Sequence, residues 1–255
     1  MNIQDTRFFH DFFKSHIKQF CCDDEFVQKN ITLKYNHTLK VCEESKMISE
    51  HLNLSKTDKM LAETIALFHD IGRFTQFYNY HTFSDRMSVN HALLGIEILK
   101  DTGVLDRLSN GEQKIIYNAI EFHNQFEIPK DIDDSIKLHS KIIRDADKLD
   151  IFRVMTEYFE DRNHQINPAL EENLPDTQGY NAEIVKDILE GKNTLTKHVK
   201  NTNDSRLFKL SWVFDLNFEV TKDAIKKRGY IKNIISTLPD TIEIRQISKK
   251  LNAYL

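Results

Sequence analysis

The chain has 255 residues, 40% apolar and 29% charged, enough to bury a core and ordinary for a soluble globular protein. Its net charge of −4 supplies no general attraction to nucleic acid or an anionic membrane, and no apolar run is long enough to cross a bilayer. Seven Gly and four Pro are few, so long helices with short connections are expected rather than a turn-rich β protein. From the N-terminus, Asp5 to Phe20 places Phe8, Phe9, Phe12, Phe13 and Ile17 at helical spacing, as an amphipathic helix and not a signal peptide. Cys21, Cys22 and Cys42 form neither a metal-ligand spacing nor an even disulfide set, which points to a reduced, cytoplasmic protein.

A second helix is predicted from about Asp24 to about Leu52, with Ile31, His37, Val41, Ile48 and Leu52 on one face. Ser55-Lys56-Thr57-Asp58 resembles a capping box and opens a helix through Leu61, Ile65 and Phe68 to His69-Asp70. Gly72, just past that pair, is expected to stop the helix in the left-handed conformation and leave imidazole and carboxylate facing an open space. Phe74 to Val89 reads as a long loop whose aromatic residues, Tyr78, Tyr80 and Phe83, with His81 and Asp85, suit a substrate pocket. Asn90 or Ser88 then caps a helix carrying Leu94, Ile98 and Leu99. Another helix runs from Glu112 to about His123, and Asp134 to about Arg162 forms one bent helix or two joined end to end.

Beyond Asn163 a polar connection with Pro168 and Pro175 extends to about Gly179. Helical patterns follow over Ala182–Leu189, Asp204–Phe218, Thr221–Lys227, Tyr230–Leu238 and Thr241–Leu251. No strand-period run competes with them, so the predicted fold class is all-α. The expected organisation is a helical core over 1–165 and a helical extension over 166–255 that shapes or covers the pocket, the two forming one globular unit.

Five predicted helices present a metal-capable side chain on their apolar face. His37 precedes Val41 by four residues, and His69 follows Ile65 by four. His91 precedes Leu94 and Gly95, His123 follows Ala119 and Ile120, and Asp147 lies four residues from both Ile143 and Ile151. A buried unpaired carboxylate is costly, and a metal ion is one of the few things that removes the cost. Asp145 rivals Asp147 but points to another side of the helix. His139 shares a face with Asp147, yet eight residues correspond to about 12 Å of rise, too far to reach the same ion.

The order His, His-Asp, His, His, Asp on a helical chain resembles the HD superfamily of metal-dependent phosphohydrolases. The matching stretches are His37-Thr38-Leu39-Lys40-Val41, Leu67-Phe68-His69-Asp70-Ile71-Gly72-Arg73, His91-Ala92-Leu93-Leu94-Gly95, Ala119-Ile120-Glu121-Phe122-His123 and Asp145-Ala146-Asp147-Lys148-Leu149-Asp150, within about Ile31 to Phe152. The resemblance implies an HD-type helical bundle and His37, His69, Asp70 and Asp147 as ligands of the shared metal set, the aspartate before Lys-Leu-Asp being Asp147. It implies His91 and His123 as the further ligands of members that hold two metals. Six nitrogen and oxygen ligands without thiolate suit Mn, Fe, Co, Ni or Zn. Such a pair of ions gives hydroxide near neutral pH and polarises a phosphoryl oxygen, with Asp70 bridging the ions and orienting the hydroxide. Arg73 and Lys148 are the expected phosphate-holding cations, ahead of Arg86, Arg144 and Arg153.

Within that superfamily the sequence after His123 lacks the Gly-Tyr-Pro motif of cyclic-di-GMP phosphodiesterases. Gly72-Arg73-Phe74 lacks the Glu-Asp pair of guanosine-tetraphosphate hydrolases and the histidine- and proline-rich continuation of deoxynucleotide triphosphohydrolases. The layout is closest to small hydrolases of the symmetrical dinucleoside-tetraphosphate type. The implied partner is therefore a phosphorylated small molecule, a nucleotide, with no nucleic acid and no membrane. The same ligand order also serves di-iron HD oxygenases and, less well, non-catalytic nucleotide sensors, which form the alternative readings.

Overall fold

A computed structural model of the chain describes residues 1–160 and 166–255. Every regular element among the described residues is helical, as the composition predicts. No described helix is long and apolar enough to cross a membrane. The chain divides into two compact units, Met1–Asp147 and Lys148–Leu255. The predicted helix end near Arg162, the start of the polar connection at Asn163 and the boundary at 165 lie outside the described residues.

In the first unit α1 spans Ile3–Lys18, α2 Glu25–His51, α3 Lys56–Phe68, α4 Ile71–Tyr80, α5 His91–Asp101 and α6 Asn110–His123. Helix α7, Asp134–Glu160, begins here and continues past Asp147. Local caps set most of these starts. The Asn2 side chain accepts from the backbone N–H groups of Gln4 and Asp5 while Asp5 accepts from that of Asn2, a full capping box. Ser109 and Glu112 repeat it at α6, Ser55 opens α3, and Asn90, rather than Ser88, caps α5. Helix α2 packs on α3 and α4, α1 and α6 pack on α3, and α5 lies between α4 and α6. Phe68, the residue before His69, is fully buried and meets Phe9 and Phe12 edge-on, with ring centroids 5.7 and 6.1 Å apart. The aromatic stripe of α1 thus anchors the end of α3 from which His69 and Asp70 project.

Two expectations for the centre of the chain are overturned. Phe74 to Val89 is not one long loop: Ile71–Tyr80 is helical, and only a short 3-10 turn at Asp85–Met87 interrupts the remaining connection. Ile71, Phe74 and Phe77 recur every three residues and are fully buried, and this burial outweighs the weak helix pattern of the polar residues between them. Nor does Gly72 stop a helix in the left-handed conformation. It lies in the first turn of α4, and the left-handed residue is His81 at the other end, with φ 53°. Gly72 serves close approach instead: a Cβ there would lie 2.1 Å from the His91 carbonyl oxygen and 2.7 Å from the Gly95 nitrogen. Backbones of α4 and α5 meet at two glycines.

The second unit contains α8 (Ala182–Leu189), α9 (Thr202–Ser211), a 3-10 turn at Trp212–Asp215, α10 (Glu219–Arg228), α11 (Tyr230–Ile235) and α12 (Ile242–Tyr254). Helix α8 packs on α9 and α12, and α11 packs on α9, α10 and α12, around a core that includes Ile188, Leu207, Leu210, Ile234 and Ile247. The helix predicted over Asp204–Phe218 ends at Ser211 and gives way to the 3-10 turn.

Candidate metal centre

Six of the predicted residues come together in the first unit, supplied by five places in the bundle. His37 sits mid-way along α2. His69 and Asp70 are the two residues between α3 and α4, where Asp70 leaves helical geometry at φ −109° and ψ 16°. His91 opens α5, His123 closes α6, and Asp147 comes from α7. The Nε2 atoms of His37 and His69 each lie 3.6 Å from Asp70 Oδ2, and 3.1 and 3.6 Å from Asp147 Oδ1. On the other side of Asp70, Oδ1 is 3.3 Å from His91 Nε2 and 3.9 Å from His123 Nε2, and those two nitrogens are 3.0 Å apart. Two groups of potential ligands result, His37–His69–Asp70 and Asp70–His91–His123, each with its donor atoms within 4.8 Å of one another. Asp70 belongs to both.

The hydrogen bonds behind the rings identify the atoms that face inward. His69 Nδ1 is 2.8 Å from the Ala66 carbonyl oxygen, and His123 Nδ1 contacts the Ile120 carbonyl oxygen at 2.6 Å. Carbonyls only accept, so both Nδ1 atoms carry the proton, and in the neutral rings both Nε2 atoms present lone pairs. His91 Nδ1 lies 2.7 and 2.9 Å from the two oxygens of Asp85, which likewise only accept. Burial first, then the neighbouring His91 and His69 charges, lowers the pKa of His123 to about 3, and burial and Arg73 lower that of His91. Both rings are therefore neutral at pH 7. Lone pairs 3.0 Å apart repel unless positive charge lies between them. Nε2 of His69 is buried without a hydrogen-bond partner and lies equidistant from two carboxylates. Divalent ions answer both conditions: ligands at about 2.1 Å from one ion lie about 3.0 to 3.4 Å from each other. The donor set fits such ions.

The carboxylates are held ionised. Burial opposes the charge on Asp70, but the cations Lys34 and Arg73 beside it outweigh burial and keep its pKa well below the carboxylate range. Asp147, whose burial acts in the same sense, is held down by His37 and His69. Of the two rival aspartates on α7, Asp147 is the one whose carboxylate meets the histidines.

Two participants escaped the sequence reading. Lys34 lies one turn before His37 on α2, with its Nζ 2.7 Å from Asp70 Oδ2 and 5.3 Å from the centre of the Phe83 ring. Its spacing from His37 was the only signal, and a lysine on a helix usually marks a solvated face. Asp85 was read only as part of the aromatic loop expected to line a substrate pocket, but it is the partner of His91.

The other predicted cations are placed as follows. Arg73 has Nε 3.5 Å from Asp70 Oδ1, while its Nη1 donates to Gln76, Asp85 and the Phe83 carbonyl. In the second unit Lys148 pairs with Asp215 at 2.7 Å and Arg153 with Asp150 at 2.6 Å. Arg86 is exposed. Arg144 is buried and donates to the carbonyls of Phe122 and His123 at 3.0 and 3.4 Å, closing the C-terminus of α6 where His123 sits. Among the loop aromatics, Phe83 stacks on Phe77 at 4.6 Å and Tyr78 packs against Phe20 at 5.7 Å.

His139 is 3.5 Å from Asp58 of α3, away from the cluster. Burial lowers its pKa against the opposing pull of Asp58. The folded chain keeps it neutral while the unfolded chain takes up a proton below about pH 6.5, so its contribution to stability falls as pH falls through that point. Replacing it by His139→Gln should remove up to about 1.4 kcal/mol per pH unit of that dependence, read from urea midpoints at pH 7 and pH 5.

Residues 35–151 match the family model of the HD domain. Over that stretch the chain is similar to the HD domain. That family is all-α and consists mostly of metal-dependent hydrolases, and the matched stretch of the HD domain takes in all six clustered residues. No curated protein and no solved structure matches the chain.

Proposed function

We propose that the HD domain is a two-ion phosphohydrolase that cleaves a phosphoester or phosphoanhydride bond of a nucleotide-type substrate in a cytoplasmic setting. The observation that carries this reading is Asp70, one carboxylate common to two groups of histidines. His37, His69, Asp70 and Asp147 would hold one ion, and Asp70, His91 and His123 the other, drawn from Mn, Fe, Co, Ni or Zn. Bound there, the ions supply Lewis-acid activation of water and neutralise charge on the phosphoryl group. The chain's own residues do the rest. Lys34 and Arg73 flank Asp70 and hold it ionised, each oxygen with its own cation. Arg73 is committed to Asp85 and the Phe83 carbonyl, which suits a positioning part. Lys34, held by Asp70 and the face of a ring, is the cation we assign to the substrate phosphate. Lys148, expected to hold phosphate, pairs with Asp215 in the second unit.

The test is metal analysis of the purified protein, then a panel of nucleotides and dinucleotides with Mn, Fe and Co. Phosphate release from at least one class supports the hydrolase. Oxygen uptake by the iron-loaded protein without phosphate release would replace it with an oxygenase. Lys34→Met should lower kcat/KM about 10²-fold, as loss of one preorganised donor does, with metal content unchanged. His123→Ala should lose about one equivalent of metal and most activity while remaining folded. Equal metal content in wild type and His123→Ala would remove the second ion.

A further inference from the structure

The connection between α4 and α5 is fastened by side chains that converge on Asp85. Gln76 is fully buried on α4, and its Nε2 lies 2.9 Å from Asp85 Oδ1, Ser88 Oγ and the Val89 carbonyl oxygen. Arg73 Nη1 donates to Gln76 Oε1 and to Asp85 Oδ1, each at 2.8 Å. Asn124, just past α6, donates to Asp85 Oδ2 at 3.2 Å. Asp85 therefore accepts from α4 and from the end of α6, and it turns both oxygens to His91 Nδ1.

We propose that Asp85 is the positioning residue of the second ligand group, fixing the tautomer of His91 so that its Nε2 lone pair faces Asp70 and His123. The proposal rests on the two-ion reading for its consequence but not for its geometry. A carboxylate has no proton to give, so His91 must donate from Nδ1 and keep Nε2 bare. Outer-shell carboxylates of this kind orient a ligating histidine and raise its basicity. Arg73 and Gln76 matter because they decide what a substitute at position 85 can do. Both present N–H groups to Oδ1. In Asp85→Asn the single amide oxygen is claimed by those two donors, and the amide N–H₂ is left facing His91 Nδ1. His91 can meet it only by accepting at Nδ1 and moving its proton to Nε2, towards Asp70 Oδ1 at 3.3 Å. The lone pair that would bind the second ion is then lost, with almost no change in shape.

The experiment combines nitrogen-15 NMR of the histidine side chains in the metal-free protein with equilibrium dialysis against Co²⁺, on wild type, Asp85→Asn and Ser88→Ala. In wild type, His91 should be the Nδ1–H tautomer. In Asp85→Asn it should be the Nε2–H tautomer, with the first Co²⁺ bound as in wild type and the second weakened about 10- to 100-fold or more. Ser88→Ala loosens the same connection without touching His91 and should change neither reading. An Nε2–H tautomer in wild type overturns the proposal, and that measurement needs no variant to fold. So does an Asp85→Asn protein that keeps the wild-type tautomer and second-ion affinity. Wild type that binds a single Co²⁺ while its tautomer switches on substitution refutes the two-ion reading and leaves the assignment of Asp85 standing.

Discussion

Asp70→Ala is expected to abolish both ion sites together, with metal content falling from two equivalents to at most one weakly held ion and turnover falling at least about 10³-fold. No other ligand substitution should do this. Loss of His91 or His123 leaves His37, His69, Asp70 and Asp147 in place, and loss of His37 or Asp147 leaves Asp70, His91 and His123. Asp70 also has a structural part in the metal-free protein. It accepts from Lys34 at 2.7 Å, and its other oxygen faces Arg73 at 3.5 Å. Removing one member of a buried pair leaves the other charge uncompensated, at a cost of about 3 kcal/mol or less here, because the Lys34 side chain is 14% exposed and can turn towards water. Adding Lys34→Met to Asp70→Ala should recover part of that stability without recovering metal. Metal analysis beside urea denaturation separates the two effects. An Asp70→Ala protein that retains two ions would remove Asp70 as the shared ligand.

Gly72→Ala should be the most destabilising single-methyl change in the first unit. Its Cβ would meet the His91 carbonyl oxygen at 2.1 Å and the Gly95 nitrogen at 2.7 Å. Both obstacles are backbone, so no rotamer change relieves them, and α5 must move away from α4. Overpacking commonly costs 1–3 kcal/mol, and a clash this deep should reach about 3 kcal/mol or more, a large part of the total stability of an ordinary domain. The damage also reaches the chemistry, because the residue pushed away is His91 itself. The glycines supply a graded comparison. Gly95→Ala meets Ile71 Cγ2 at 3.2 Å and the Gly72 nitrogen at 3.3 Å and should cost less, since these approaches need a shift of only a few tenths of an ångström, whereas Gly111→Ala has nothing within 4 Å and should be neutral or slightly stabilising. Urea midpoints for the three variants, with Co²⁺ stoichiometry, check the order. A Gly72→Ala protein within about 1 kcal/mol of wild type and with two ions bound would show that α4 and α5 are not locked at this crossing.

Helix positions were legible because their causes are local. The caps at Ser55, Asn90 and Ser109 act on backbone groups two or three residues away, and the apolar period that set α2, α3 and α6 repeats within a single turn. His37, His69, His123 and Asp147 were legible for the same reason, since each lies three or four residues from a buried apolar neighbour, Val41, Ile65, Ile120 and Ile143; His91 was read from its spacing to Leu94 and Gly95, and Asp70 from its place beside His69. Helix α4 was missed because three buried side chains, Ile71, Phe74 and Phe77, decide it, and only the neighbouring helices supply their burial. Gly72 looked like a helix stop, yet its meaning depends on the backbone of α5 some twenty residues on. The sequence by itself therefore determined an all-helical chain and which residues its helices turn inward. Only the tertiary structure decided that Lys34 meets Asp70, that Asp85 backs His91 and that Arg144 closes α6, because those contacts join residues with no shared helical period and exist only once separate helices pack.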